Sequence, residues 1–196
     1  GIAVLRFDFT GLGDSEGDFS ETNFSSNVDD LKCAASFLRD EYQPADLLIG
    51  HSLGGAAVLA AAADIPEAKA IATIAAPADP EHVLKQFACS LDTIEEHGRA
   101  EVQLSGRPFV IQKHFVDDVV GIQEGYIQQL GRPLLIYHSP VDQTVSIDEA
   151  ADIYNRAMHP KSFISLDDAD HLLTKREDAV YVADTLAAWA APYLGK

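Results

Sequence analysis

The sequence predicts an α/β domain, a mostly parallel sheet with helices on both faces and a small cap inserted between two of its strands. Three features point there. Short apolar runs of strand length alternate with stretches of helical periodicity, the pattern of parallel strands joined by crossover helices. The segment 78–130 breaks that alternation; it is more polar and holds His82, His97 and His114, three of the chain's seven histidines. Between these, Leu47–Leu48–Ile49 runs through Gly50-His51-Ser52-Leu53-Gly54 into an alanine-rich stretch, Ala56 to Ala63, which reads as strand, tight turn and helix.

Taken in order, Ile2 to Phe9 is short, apolar and β-prone, and reads as a buried strand. Thr10 to Gly17 is rich in glycine but has neither a P-loop lysine nor the third glycine of a dinucleotide fingerprint, so it reads as a tight turn. Val28, Leu31, Ala35 and Leu38 recur at helical spacing up to about Tyr42, with Ser25 or Ser26 as N-cap and Pro44 as the breaker. After the central strand, turn and helix, Ala70 to Ala76 is a further buried strand, ended by Pro77. Within the inserted segment, 101–104 and 109–112 read as a hairpin through Ser105-Gly106-Arg107-Pro108, flanked by helical pieces at Glu81–Phe87 and Phe115–Leu130. Order returns with Pro133 to His138 (strand), Ser146 to Ala157 (helix), Ser162 to Leu166 (strand) and Glu177 to Tyr193 (helix).

A chain of 196 residues suits one domain, 1–196, with 78–130 as a cap within it. Its net charge of −17 argues against nucleic-acid partners and against docking on an anionic membrane. No run is long enough to span a bilayer and no signal peptide is evident, so a cytoplasmic protein is expected. Cys33 and Cys89 have no disulfide or metal spacing; Cys33 reads as a small buried apolar residue of a helix. No histidine–carboxylate cluster has metal spacing, and no cofactor is expected.

The chemistry gathers at Ser52. A serine at the tip of a sharp strand-to-helix turn has an exposed hydroxyl, and the small residues at Gly50 and Gly54 let the turn close. The N–H of Leu53, at the start of the helix, faces the place where an oxyanion would develop. A serine hydroxyl needs a base, and the base needs an acid to orient it. In parallel sheets these partners come from loops at the carboxyl ends of later strands, in the order Ser, Asp, His. Asp142 is the one carboxylate of Ser139-Pro140-Val141-Asp142-Gln143-Thr144-Val145, and His171 is the one histidine of the loop that begins at Asp167. Asp167 and Asp168 are rivals for orienting His171, although adjacent positions rarely give the geometry. His51 would pack beside the turn or touch substrate, and His138 takes a substrate-contact or supporting role. Phe109, Phe115 and Tyr126 would shape an apolar acyl pocket, with core packing as the competing reading for each.

Arg6-Phe7-Asp8-Phe9-Thr10-Gly11-Leu12-Gly13-Asp14-Ser15-Glu16-Gly17, Gly50-His51-Ser52-Leu53-Gly54-Gly55, Ser139-Pro140-Val141-Asp142 and Asp170-His171-Leu172-Leu173 together resemble the α/β-hydrolase superfamily. The resemblance is closest to hydrolase domains fused to OsmC-like domains and to small esterases of the cinnamoyl/feruloyl type. It implies Ser52 as nucleophile, Asp142 as acid, His171 as base, and a small-molecule carboxylic ester as substrate. It also implies that the fold's first strands, with a second oxyanion donor, precede Gly1, so the chain is expected to be N-terminally truncated with an unpaired sheet edge open to self-association. A non-catalytic binding domain, and an acyltransferase or perhydrolase using the same residues, are the alternatives.

Overall fold

The sheet is built from the apolar runs that the alternation marks. In the computed structural model, which describes residues 2–104, 107–123 and 125–194, Leu47–His51 (β1), Ala70–Ile74 (β2), Leu134–His138 (β5) and Lys161–Ser165 (β6) form one parallel sheet in the order β1-β2-β5-β6. Its register sets Leu47 against Ala70, Ile71 against Leu134, and Leu134 against Lys161. Successive side chains point to opposite faces. Ile71, Leu134 and Ile136 therefore pack with α1 (Phe24–Glu41), α2 (Leu53–Ala61) and α5 (Ile147–Arg156). Ala72, Leu135 and Tyr137 meet Val182 and Leu186 of α6 (Arg176–Ala190) on the other face. β5, covered on both sides, is buried at all five positions.

The strand expected at Ile2–Phe9 is absent. Residues 2–9 carry no strand ladder, residues 2–8 are exposed, and Val4 is 75% exposed. An apolar run becomes a strand only where a neighbour supplies N–H and C=O partners. Among the described residues no strand stands beside this one, or beside the outer edge of β1, where Ile49 is exposed.

α1 begins two to three residues earlier than its serines suggest. Asn23 is the N-cap and accepts from the Ser26 N–H, while Ser26 Oγ accepts from the Asn23 N–H, so Ser26 closes a capping box. Asp118 accepts from both the N–H and the hydroxyl of Ser25. Cys33, expected inside, is exposed on α1, as is Cys89 in the insertion; helical periodicity places Cys33 off the stripe of Val28, Leu31 and Ala35 that packs inward.

Between β2 and β5 the chain leaves the sheet. Pro80–Ser90 is 3-10 helix, kinked at Phe87, and is followed by α3 (Leu91–His97), the antiparallel pair β3 (Arg99–Leu104) and β4 (Arg107–Gln112), and α4 (Lys113–Gly121). Ser105 and Gly106, placed in the hairpin turn by sequence, lie outside the described residues. The helix expected over Phe115–Leu130 stops at Gly121, because Ile122 turns to extended backbone. This segment has its own apolar cluster, in which Val83, Phe87, Ile94, Val102, Ile111 and Phe115 pack onto Phe24, Ala56 and Ala57.

Candidate active site

β1 ends at His51 and α2 starts at Leu53, so Ser52 is the whole turn between them. Its φ of 54° and ψ of −129° lie in a region that L-residues rarely adopt. Such strain persists only when the surroundings impose it. Here the Ser52 N–H donates to the Ile74 carbonyl (2.9 Å), tying the turn to β2, and the Gly55 N–H donates back to the Ser52 carbonyl (2.8 Å). A Cβ at Gly50 would stand closer than 3.0 Å to the Gly54 carbonyl oxygen, and one at Gly55 closer than that to Ala76. Gly54 differs from the expectation. A Cβ there would meet only Phe9, at an ordinary 3.8 Å, so the close approaches that require glycine are at Gly50 and Gly55.

His171 reaches the turn from the loop after β6. Its Nε2 is 3.0 Å from Ser52 Oγ, and its Nδ1 is 2.8 Å from Asp142 Oδ2 in the loop after β5. The proton positions follow from the partners. Burial pushes the Asp142 carboxyl up, but the Val145 N–H, His171 and the Thr144 N–H together outweigh it, and the group is held below the usual carboxylate range. An ionised Asp142 only accepts, so Nδ1–H donates to it, Nε2 is a bare acceptor, and the Ser52 hydroxyl donates to Nε2. The other carboxylate oxygen, Oδ1, accepts from the N–H groups of Thr144 (2.8 Å) and Val145 (2.9 Å), which fix the carboxylate plane. Asp167 stays out of this chain: its carboxylate accepts from Ser165 Oγ and its carbonyl from Ser139 Oγ.

The remaining candidates fall in different places. The Leu53 N–H is first in α2, where backbone donors have no helical acceptor. His51 donates its Nε2–H to the His171 carbonyl (2.6 Å), so that nitrogen is committed to protein rather than left for substrate. Phe115 is 3% exposed within the apolar cluster of the insertion, Phe109 packs its ring on Phe19 (4.9 Å), and Tyr126 donates its hydroxyl to the Ala78 carbonyl (3.1 Å). A cleft of about 700 Å3 opens on the acid's side, between the insertion and the start of α5; its walls include His82, Lys85, Gln103, Asp142 and Gln143. None of the three aromatics lines it. Among the described residues no group of His, Cys, Asp and Glu is arranged to hold a metal ion, and no helix is long and apolar enough to cross a membrane.

His138, read from the sequence as a substrate contact or a supporting residue, takes the supporting place: fully buried at the end of β5, it donates Nε2–H to the Val145 carbonyl (2.8 Å) and lies 3.8 Å from Asp142 Oδ2. One pair went unread in the sequence. Glu149 accepts from the Ala78 N–H (3.0 Å) and sits 2.8 Å from His82 Nδ1, joining α5 to the insertion. Nothing in the local pattern marks that pair, which is 67 residues apart.

A parallel sheet whose edge strand turns through a strained serine into a helix, with histidine and aspartate arriving from the next loops, defines an α/β hydrolase. The chain belongs to the Hydrolase_4 family, serine aminopeptidase, S33, whose profile matches residues 1–105. It is similar to the esterase domain of a Rhodothermus marinus protein, with 49% identity and a TM-score of 0.75 over 92% of this chain and 74% of that one. Palmitoyl-protein thioesterase ABHD10, mitochondrial, of Rattus norvegicus is 29% identical over 129 residues, which are 66% of this chain and 41% of that protein. The matched region thus spans about two fifths of the curated relative. Est1E of Butyrivibrio proteoclasticus, solved with ferulic acid bound, shares the fold at 16% identity and a TM-score of 0.73 over 96% of this chain and 76% of that one.

Proposed function

We propose that this chain hydrolyses small-molecule carboxylic esters through an acyl-enzyme formed on Ser52. The observation that carries the reading is the hydrogen-bonded line from Asp142 through His171 to the Ser52 hydroxyl, set at the N-terminus of α2. His171 Nε2 takes the Ser52 proton as Oγ attacks the ester carbonyl carbon, and the Leu53 N–H faces the resulting oxyanion. Collapse breaks the bond to the alcohol oxygen, and the imidazolium Nε2–H protonates that leaving group. Water then attacks the acyl carbon while Nε2 takes its proton, and a second collapse frees the acid and returns the proton to Ser52. Ionised Asp142 holds the tautomer and stabilises the imidazolium at each transfer. The inserted segment would act as the cap over the acyl group, with the mouth of the 700 Å3 cleft as the candidate for substrate contact.

The 49%-identical esterase domain supports an oxygen ester as substrate. The name of the ABHD10 relative favours a second reading, a thioester, for which the same steps run with a thiolate as leaving group. Fluorophosphonate labelling, with the adduct mapped by mass spectrometry and Ser52→Ala as control, tests the nucleophile. A folded chain that takes no label on Ser52 sinks the reading. Matched oxygen and sulfur acyl esters then decide the class by their kcat/KM ratio.

A further inference from the structure

The loop that brings the base is strained on both sides of it. Asp167 (φ 44°) and Leu173 (φ 52°) are non-glycine residues in the left-handed region, and they bracket the stretch that holds His171. Much of its bonding is internal: Asp170 accepts from the N–H groups of Leu172 and Thr174 and from the Thr174 hydroxyl. Ties from outside hold such a loop in register with the rest of the site. One runs from Ser139 Oγ to the Asp167 carbonyl (3.2 Å), at the loop's start. Another is made by His51, the residue next to Ser52, to the carbonyl of His171 itself at 2.6 Å. The two imidazole rings also lie 5.0 Å apart at 47°.

We propose that His51 is a positioning residue, setting the reach between base and nucleophile by donating its Nε2–H to the backbone carbonyl of His171. The His171 ring is anchored at one end by Asp142 and must present Nε2 to Ser52 at the other, so a small shift of its backbone tilts that nitrogen away. His51 opposes the shift from the residue preceding the nucleophile, so elbow and base loop move together. Burial lowers the proton affinity of His51, consistent with a neutral ring whose Nε2–H faces a carbonyl. His51 touches no reacting atom and takes no proton in the cycle. The inference rests on Ser52, His171 and Asp142 acting as proposed above.

The competing explanation is that His51 only fills space against His171, and two variants separate the two. His51→Phe keeps a ring and loses the donor; His51→Gln loses the ring and keeps an N–H donor at similar reach. With a donor bond lost and the base displaced, kcat for His51→Phe is expected to fall about tenfold or more, with little change in KM, and fluorophosphonate labelling of Ser52 to slow in parallel. His51→Gln is expected to recover most of the rate. A wild-type rate in His51→Phe, a His51→Gln as slow as the Phe variant, or a loss confined to KM each overturns the proposal. Thermal unfolding is followed for every variant. If His51→Phe does not fold, His51→Gln against His51→Asn, whose amide is one methylene too short, makes the same comparison. An unlabelled wild-type chain is a separate result, because it overturns the nucleophile assignment before any variant is compared.

Discussion

Alanine substitutions at the two glycines flanking Ser52 should have opposite effects, although the motif treats them alike. At Gly50 the added methyl would be driven inside 3.0 Å of the Gly54 carbonyl oxygen and of Gly55 Cα. All of these are backbone atoms at a turn already strained at Ser52, so no side-chain rotation relieves the clash. Overpacking of that kind costs about 1–3 kcal/mol, and a backbone clash belongs at the upper end. At Gly54 the methyl would find only Phe9 at 3.8 Å. There the change from glycine to alanine at a helical position is worth about 0.5–1 kcal/mol in favour of folding. The two variants should therefore differ by about 1.5–4 kcal/mol, the sum of those two ranges. Urea unfolding of Gly50→Ala, Gly54→Ala and wild type, with shared m-values, measures it. A Gly54→Ala protein destabilised as much as Gly50→Ala would refute the reasoning, because it would place the close approach at the wrong glycine.

Acid should weaken the fold before it protonates Asp142. Burial is the largest influence on His51 and His138 and holds both below their ordinary value of 6.5. Below pH 6.5 the unfolded chain therefore binds protons that the folded chain refuses, so stability is full above that pH and falls by up to about 1.4 kcal/mol per unit for each ring until its folded value is reached. Asp142, held below the usual carboxylate range, adds its loss only at still lower pH; unfolding measured from pH 8 to 5 should show the decline, and His51→Gln should flatten it. Phe115→Ala should cost about 3–5 kcal/mol of stability as a core truncation while leaving KM unchanged at temperatures where both proteins are folded; a raised KM with unchanged stability would make Phe115 a pocket wall instead.

The candidate site is built by subtraction of freedom. Ser52 is held in a conformation it would not choose, by a β2 carbonyl in front and glycines that admit the backbone behind. Asp142 has every acceptor direction occupied or buried, so its charge is spent on one tautomer of His171. The Glu149–His82 pair ties the insertion to α5, the helix that follows the acid loop, so the segment most distant from the sheet pattern is still fastened next to the chemistry.

The sequence by itself determined four parallel strands, their connecting helices, the antiparallel pair of the insertion, and Ser52, Asp142 and His171 as candidates that the fold brings within hydrogen-bond reach. These are local or ordered signals: apolar runs bounded by breakers, small residues at a turn, the one carboxylate of the loop after β5 and the one histidine of the loop after β6. Tertiary structure alone decided the rest. Ile2–Phe9 has the composition of a strand and is not one, because a strand's energy lies in a neighbour's hydrogen bonds and in the face it buries, and neither is written in its own residues. Phe115 and Tyr126 could not be sorted between pocket and core, because burial is a property of what packs against a side chain. The role of His51 was hidden for the same reason: its partner is a backbone carbonyl 120 residues away, and every residue has one.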